Sequence, residues 1–190
     1  MRAAAFALLL ASAGAASSAE LRSVELQYED GYYTLHSEVW FDAGIESTYA
    51  VFSDWGLSPE FSSAIVEARD LPPDESGRAG YYIVNRGCVL FFCKSLTRQG
   101  HIERESPDVL RAFADPEHSD FDVCDESWEF NEHEGGTVVT YSLYMKPGFW
   151  VPPAIGPYLI KRKLTKKAGQ ALDRVEALAR DYSGEGARID

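Results

Sequence analysis

Hydrophobic and polar positions alternate along some parts of the chain and recur at helical spacing in others. Residues 33–41 alternate, a pattern typical of a half-buried β-strand. Asp42 then offers an N-cap for a short helix over residues 45–54, and a second helical turn is expected near residues 61–64. Alternating segments bounded by turn residues predict further strands over residues 65–70, 80–88, 94–105, 109–115, 126–133 and 137–146.

The last part of the chain has a different period. Apolar residues recur every three or four positions from Ile155 to Tyr182, which predicts one long amphipathic helix. Pro152 and Pro153 suit the start of that helix, and residues 183–190 form a polar tail. The order of these elements predicts an α+β fold with two short helices after the first strand, a meander of antiparallel strands and a long C-terminal helix.

Residues 1–19 have the features of a secretory signal peptide. Arg2 precedes a short apolar stretch, and small residues lead up to Ala19. We expect cleavage after Ala19 and a periplasmic or secreted mature protein, with one domain over residues 20–182. In an oxidising compartment the cysteines can form a disulfide.

The charge of the chain limits its partners. The formal net charge is −12, which argues against nucleic acid because phosphate backbones select basic surfaces. The four histidines are scattered, without the paired spacing that metal sites favour, so neither a metal nor a cofactor is predicted. No motif identifies a catalytic residue. The histidines are His36, His101, His118 and His133.

Two stretches give the chain a family resemblance. The strand and helix over residues 38–54 resemble the opening of the START/polyketide cyclase-like superfamily, and the C-terminal part resembles its ending. That ending combines a Gly-Thr strand, the turn of residues 147–153 and a long helix. The resemblance implies a helix-grip fold, in which a curved antiparallel sheet wraps around the C-terminal helix and encloses a cavity. It also implies an apolar ligand, and it transfers no catalytic residue.

The sequence supports the same interior independently. One face of the last strand is apolar, and the preceding strand places two large aromatic residues together. The alternative is a solid core filled by these side chains themselves. If there is a cavity, Tyr141 is the candidate polar contact for the ligand, because a buried hydroxyl needs a partner. The expected lining residues are Trp128, Phe130, Tyr141, Leu143, Met145, Leu159 and Leu164.

The hexapeptide of residues 88–93 has two alternative structures. If the chain reverses within it, Cys88 and Cys93 flank a hairpin tip and can form a disulfide. If it is a continuous buried strand, Cys93 pairs with Cys124 or stays free. The first alternative exposes an apolar tip made of Val89, Leu90, Phe91 and Phe92.

A second apolar loop lies close to a cluster of cations. Phe149 and Trp150 could form a rim with the hairpin tip, and five basic residues over 161–167 could meet anionic lipid head groups. The alternative is that this basic run is the solvated face of a helix. The five residues are Lys161, Arg162, Lys163, Lys166 and Lys167.

These observations predict a monomeric binding or transfer protein for an apolar small molecule or lipid, with transient contact to a membrane surface. One alternative is a cyclase- or hydrolase-like enzyme that acts in the same cavity, which a buried carboxylate or histidine would favour. A second alternative is an accessory protein that docks on a partner through its apolar rim.

Overall fold

The computed structural model describes residues 19–89, 92–151 and 168–182. Eight antiparallel strands form one curved, unclosed sheet in the order β1-β2-β8-β7-β6-β5-β4-β3. The strands are β1 (Glu20–Glu29), β2 (Tyr32–Phe41), β3 (Ile65–Leu71), β4 (Gly80–Val89), β5 (Phe92–Glu105), β6 (Val109–Ala114), β7 (Phe121–His133) and β8 (Gly136–Pro147). The helices are α1 (Ile45–Ser53), α2 (Ser58–Phe61) and α3 (Ala168–Asp181).

This architecture confirms the expected α+β fold, with one addition at its start. The first strand, β1, was not expected from the sequence. Because it precedes the strand predicted over residues 33–41, the two short helices follow the second strand rather than the first. β1 is an edge strand whose residues are mostly exposed, and a bulge between Leu21 and Ser23 interrupts its alternation. Its hydrophobic pattern is therefore weaker than that of strands paired on both sides.

Tight turns connect the neighbouring strands at both ends of this part of the sheet. Asp30 and Gly31 join β1 to β2, and Glu134 and Gly135 join β7 to β8, all with positive φ. Positive φ at both central residues matches the twist of a two-residue hairpin. The predicted hairpin at residues 134–136 is confirmed.

The register of the strands assigns side chains to two faces. Val39 of β2 lies opposite Val139 of β8, which in turn lies opposite Phe130 of β7. These three residues are buried and belong to the main hydrophobic cluster with Val175 and Ala179 of α3. The face that carries them is the inner, concave face, and α3 packs against it.

A clamp formed by Asp42, Glu176 and Arg180 connects α3 to the segment between β2 and α1. Glu176 is buried and accepts a hydrogen bond from the backbone N–H of Asp42 at 2.9 Å. Arg180 donates to the Asp42 carbonyl at 2.9 Å and to its carboxylate at 2.6 Å, and it lies 3.0 Å from Glu176. Asp42 is therefore not the N-cap of α1. That position belongs to Gly44, which has no side chain to donate or accept.

The predicted C-terminal helix is confirmed where the structure describes it. Helix α3 accounts for the second half of the expected range, while residues 152–167 lie outside the described residues. The predicted signal peptide up to residue 18 and the polar tail over 183–190 also lie outside them.

Candidate functional site

The inner face collects most of the residues that the sequence predicted to line a cavity. Trp128 of β7 lies directly opposite Tyr141 of β8, and Leu143 and Met145 follow at alternate positions along β8. Residues at alternate positions point to the same face, which is the face of the buried Phe130. Leu159 and Leu164 lie outside the described residues.

These five side chains are not equally covered. Phe130 and Leu143 are buried, whereas Trp128, Tyr141 and Met145 are only half-buried, although they lie on the concave side of the sheet. Side chains that filled the concavity completely would bury all five. The inner face therefore presents open aromatic and apolar surface near its centre.

Two hydrophobic clusters flank this surface. The larger one combines strands β2 and β4–β8 with α1 and α3, and Trp128 packs at its margin. The smaller one contains Leu35, Phe121, Cys124 and Leu143, with Tyr141 and Met145 packed against it. None of its described members comes from a helix. Trp128 and Tyr141, whose ring centroids are 5.2 Å apart, connect the two clusters.

A charged group lies where the clusters meet. Glu126 of β7 is buried on the inner face and forms an ion pair with Arg98 of β5. The hydroxyl of Tyr141 donates to the other oxygen of Glu126 at 2.6 Å. Both carboxylate oxygens thus have a partner, which a buried charge requires.

The protonation states of the group follow from its burial. Burial raises the pKa of Tyr141 well above the ordinary value, and the charge of Glu126 raises it further. For Arg98, burial alone would lower the pKa, but the neighbouring groups, of which Glu126 contributes most, together raise the pKa above its ordinary value. Tyr141 therefore remains a neutral hydrogen-bond donor and Arg98 a cation at every physiological pH.

Cys124 completes the group as a buried thiol. Arg98 donates to its sulfur at 3.7 Å. Burial raises the pKa of the Cys124 thiol to about 11, although the charge of Arg98 acts in the opposite direction. Such a thiol is a poor nucleophile near neutral pH, because the thiolate is the reactive form.

The core also contains polar groups without hydrogen-bond partners among the described residues. Two belong to stacked rings, Trp55 and Tyr81, whose centroids are 4.3 Å apart. The hydroxyl of Tyr33 and that of Tyr49 are similarly unpaired. Unpaired buried donors are rare in folded proteins, so the interior contains polar groups whose hydrogen-bonding capacity is not used by the described residues.

The hexapeptide of residues 88–93 adopts the hairpin alternative. Cys88 lies opposite Cys93 in the β4–β5 ladder, and Val89 lies opposite Phe92, so the chain reverses between β4 and β5 within this hexapeptide. Cys124 is free and buried, which excludes the alternative in which Cys93 pairs with it. Leu90 and Phe91 lie outside the described residues, as do the side chains of Cys88, Val89 and Phe92.

Lys94 of β5 lies next to the second predicted rim segment. The ammonium group of Lys94, two residues beyond the start of β5, lies 3.6 Å from the centre of the Phe149 ring. Lys94 also lies 3.4 Å from the carboxylate of Asp120. Trp150 follows with 79% of its surface exposed. The start of β5 and the Phe149–Trp150 loop are therefore in contact at this end of the sheet.

The described residues contain neither a candidate metal site nor a candidate membrane-spanning helix. They contain no group of three His, Cys, Asp or Glu side chains that could hold a metal ion. No helix in the described part of the chain has both the length and the hydropathy to cross a membrane.

Arg98 and Glu126 are the site residues that sequence reasoning missed. The signal was present in β7, where Cys124, Glu126, Trp128 and Phe130 occupy alternate positions on one face. A carboxylate between inward-facing apolar residues indicates a buried charge that needs a cation. The strand was predicted to start at residue 126, so its inward set was not recognised.

Known structures share this fold at low sequence identity. A START superfamily protein from Mycobacterium smegmatis superposes with a TM-score of 0.61 and 16% identity, over 76% of this chain and 98% of that one. The STAR-related lipid transfer protein from Xanthomonas axonopodis (fragment 25–204) gives a TM-score of 0.59 and 14% identity, over 82% and 98%.

A polyketide-pathway protein is similar as well. The di-domain ARO/CYC BexL from the BE-7585A biosynthetic pathway gives a TM-score of 0.59 and 12% identity, over 80% of this chain and 51% of that one. At the level of sequence, no known family and no curated protein matches the chain. The structural likenesses show that the chain has the START, or helix-grip, fold.

Proposed function

We propose that the protein binds an apolar small molecule or lipid between the inner face of its sheet and the C-terminal helix. The observation that carries this proposal is the open surface of Trp128, Tyr141 and Met145 in the middle of a concave face. Burying such surface stabilises a complex by about 25 cal/mol per Å². The neighbours named as a START protein and a lipid transfer protein support a hydrophobic partner.

The charged group defines how a ligand is held. Glu126 is neutralised by Arg98 and accepts from Tyr141, so the group has no net charge to attract an ion. The oxygen of Tyr141 keeps its lone pairs as acceptors. A ligand that is mostly apolar and carries one hydroxyl or similar donor fits this surface best.

The rim supports transfer from a membrane. Trp150 is largely exposed, and the cation of Lys94 lies beside Phe149 at the same end of the molecule. Exposed tryptophan and nearby cations suit the interface of a bilayer. Transient docking through this end would place the inner face close to lipid.

The hairpin is proposed to carry a disulfide between Cys88 and Cys93 in an exported protein. Directly opposite residues of an antiparallel ladder have Cα atoms about 4.5–5.5 Å apart, within the range that a disulfide spans. The bridge would fix the tip without changing the register. A disulfide is consistent with export, because exported proteins enter an oxidising compartment. The proposed cleavage after Ala19 would leave β1 whole, because β1 begins at Glu20.

One observation favours an enzyme as the second candidate function. Glu126 is the buried carboxylate that a cyclase- or hydrolase-like reaction would use as an acid or base. Both of its oxygens are already engaged, however, and Arg98 is held as its counterion. Binding therefore fits the geometry better than proton transfer.

The experiment is native mass spectrometry of the protein purified from periplasm, followed by extraction and identification of any bound molecule. A phospholipid, fatty acid or quinone at about one per chain would support the proposal. A mass without ligand, also after incubation with extracted membrane lipids, would count against it and favour the enzyme or the docking protein.

Two variants locate the ligand. Ser37 lies on the inner face opposite Tyr141, so Ser37→Phe should fill the open space and abolish the bound mass. Thr140 lies on the outer face of β8, so Thr140→Phe should leave it unchanged. Equal retention of ligand by both variants would contradict the proposed position.

A further inference from the structure

The outer face of the sheet has a groove that the proposed function does not use. It measures about 360 Å³ and is lined on its floor by strands β2, β6, β7 and β8. Tyr144 and Phe113 stand at its sides, and Asp125 lies between them. All three face away from the inner-face ligand surface.

The strand register fixes this arrangement. Asp125 of β7 lies directly opposite Tyr144 of β8 on one side and Phe113 of β6 on the other. Side chains directly opposite each other on one face have Cβ atoms about 4.5–5.5 Å apart. The carboxylate is therefore flanked by two aromatic rings, one on each neighbouring strand.

Each of the two rings is held in place by a second ring. Tyr32 stacks on Tyr144 with centroids 5.2 Å apart and planes 9° from parallel. His101 stacks on Phe113 with centroids 5.1 Å apart and planes at 21°. Buttressed rings form rigid walls, and rigid walls lose little entropy when a ligand binds.

Asp125 has no hydrogen-bond or ion-pair partner among the described residues, whereas the neighbouring charges do. Arg111 of the same groove donates to Glu105 at 2.6 Å. His36 is bonded to Ser142 at 2.9 Å, and Arg78 donates to Nε2 of His101 at 3.3 Å. Partial burial raises the pKa of the Asp125 carboxyl, and the nearby His101 acts in the opposite direction without outweighing it.

The same surface already holds one cation against an aromatic ring. The ammonium of Lys146 lies 5.4 Å from the centre of the Tyr32 ring and 3.2 Å from the carboxylate of Asp122. A carboxylate beside an aromatic face is thus used within the chain to hold an ammonium group. The groove repeats this combination at Asp125, whose carboxylate pairs with no cation among the described residues.

We propose that the groove binds an organic cation with a methylated ammonium group, using Asp125 as counterion and Tyr144 and Phe113 as aromatic walls. Ammonium groups are attracted both to ring faces and to an unpaired carboxylate. The acidic surface of the protein, with a formal net charge of −12, increases the local concentration of such cations. The proposal is independent of what binds on the inner face.

The test compares choline with 3,3-dimethyl-1-butanol, its uncharged isostere, by titrations followed through backbone NMR shifts at physiological salt. Choline should shift resonances of β6, β7 and β8 around residue 125 with millimolar affinity, and the alcohol should bind at least about tenfold more weakly. Equal binding of the two probes, or no shifts with choline, would overturn the proposal.

Matched variants separate a specific site from general attraction. Asp125→Asn should weaken choline binding about tenfold, while Glu129→Gln, an equal loss of charge four residues along the same strand and face, should not. Because Asp125 has no partner to lose, thermal stability should be unchanged. Tyr144→Leu should also weaken binding several-fold. Equal weakening by Glu129→Gln would overturn the site.

One further arm identifies the source of the cation. Phosphatidylcholine vesicles present the same ammonium group as a lipid head group. Cosedimentation that Asp125→Asn abolishes would assign the groove to a head group, and its absence alongside choline binding would assign it to a free solute.

Discussion

Single residues on the inner face show how a charge is kept inside an apolar sheet. Glu126 lies between Cys124 and Trp128 on the inward positions of β7, and Arg98 reaches it across β6. Tyr141 completes the group from β8. The group joins side chains of three strands, β5, β7 and β8, so it also fixes their relative positions.

Removing the Arg98 cation should lower the free energy of unfolding, because the buried charge of Glu126 loses its counterion. Arg98→Met leaves Glu126 without a counterion, so we expect a loss of about 3 to 5 kcal/mol in the free energy of unfolding. The control is Arg111→Met, since the Arg111–Glu105 pair is largely exposed and should contribute less than about 1 kcal/mol. Urea denaturation measures both, and similar losses would contradict the buried ion pair.

The thiol of Cys124 should resist alkylation in the folded protein. Its pKa is raised from 9.0 to about 11, so the folded state retains the proton that an unfolded chain loses. The resulting stability is complete below pH 9 and is lost as pH rises towards 11. At pH 8, iodoacetamide should label Cys124 only at the rate of global unfolding. Fast labelling of the native protein would show an accessible thiolate.

At the scale of elements, α3 is attached to the sheet by both apolar and charged contacts. Val175 and Ala179 pack into the main cluster, and the clamp of Asp42, Glu176 and Arg180 holds the adjoining end. The clamp joins the last described helix to the segment before α1. It therefore closes one end of the inner face.

Breaking the clamp should loosen that end. Among the described residues, Arg180→Met leaves the buried Glu176 with only its backbone partner, and we expect a loss of about 1 to 3 kcal/mol in the free energy of unfolding. Arg174→Met, an exposed position on the same helix, should change stability by less than about 0.5 kcal/mol. Hydrogen exchange of α3 gives a second readout. Equal exchange of α3 in the two variants would contradict a stabilising role of the clamp.

The hairpin of β4 and β5 offers a test of the proposed disulfide. Non-reducing peptide mapping should join Cys88 to Cys93 and leave one alkylatable cysteine, Cys124, after denaturation. A bridge closing so short a loop should stabilise the fold by about 2 kcal/mol. Three alkylatable cysteines in the protein from periplasm would contradict the bridge.

Elements with strong alternation could be predicted from the sequence, and those at edges could not. The alternation from residue 33 to 41 located β2, and Glu134 and Gly135 located the turn before β8. β1 was missed because an exposed edge strand shows little contrast between its faces. Asp42 was assigned to an N-cap because its partner, Arg180, is distant in sequence.

The same difference between local patterns and distant contacts explains which site residues could be predicted. Periodicity placed Trp128, Phe130 and Tyr141 on one face, because spacing of two is a local property. The pairing of Arg98 with Glu126 depends on the registers of β5 and β7 against β6. Those registers could not be predicted from the spacing of residues along the chain. How far each residue is covered also depends on the whole fold.

At the scale of the whole molecule, the two faces of the sheet are proposed to bind different ligands. The inner face presents half-buried aromatic surface around a neutralised ion pair, which suits an apolar molecule. The outer face presents an unpaired carboxylate between two rings, which suits a cation. Trp150, in the proposed rim with Phe149, has 79% of its surface exposed.

The central claim is that the inner face holds an apolar ligand, and photo-crosslinking tests it most directly. The purified protein is irradiated with palmitic acid that carries a mid-chain diazirine, and the modified residues are identified by peptide sequencing. We predict adducts on Trp128, Tyr141 or Met145 that unlabelled ligand displaces. Adducts confined to outer-face residues such as Tyr144, or labelling that unlabelled ligand does not reduce, would contradict the claim.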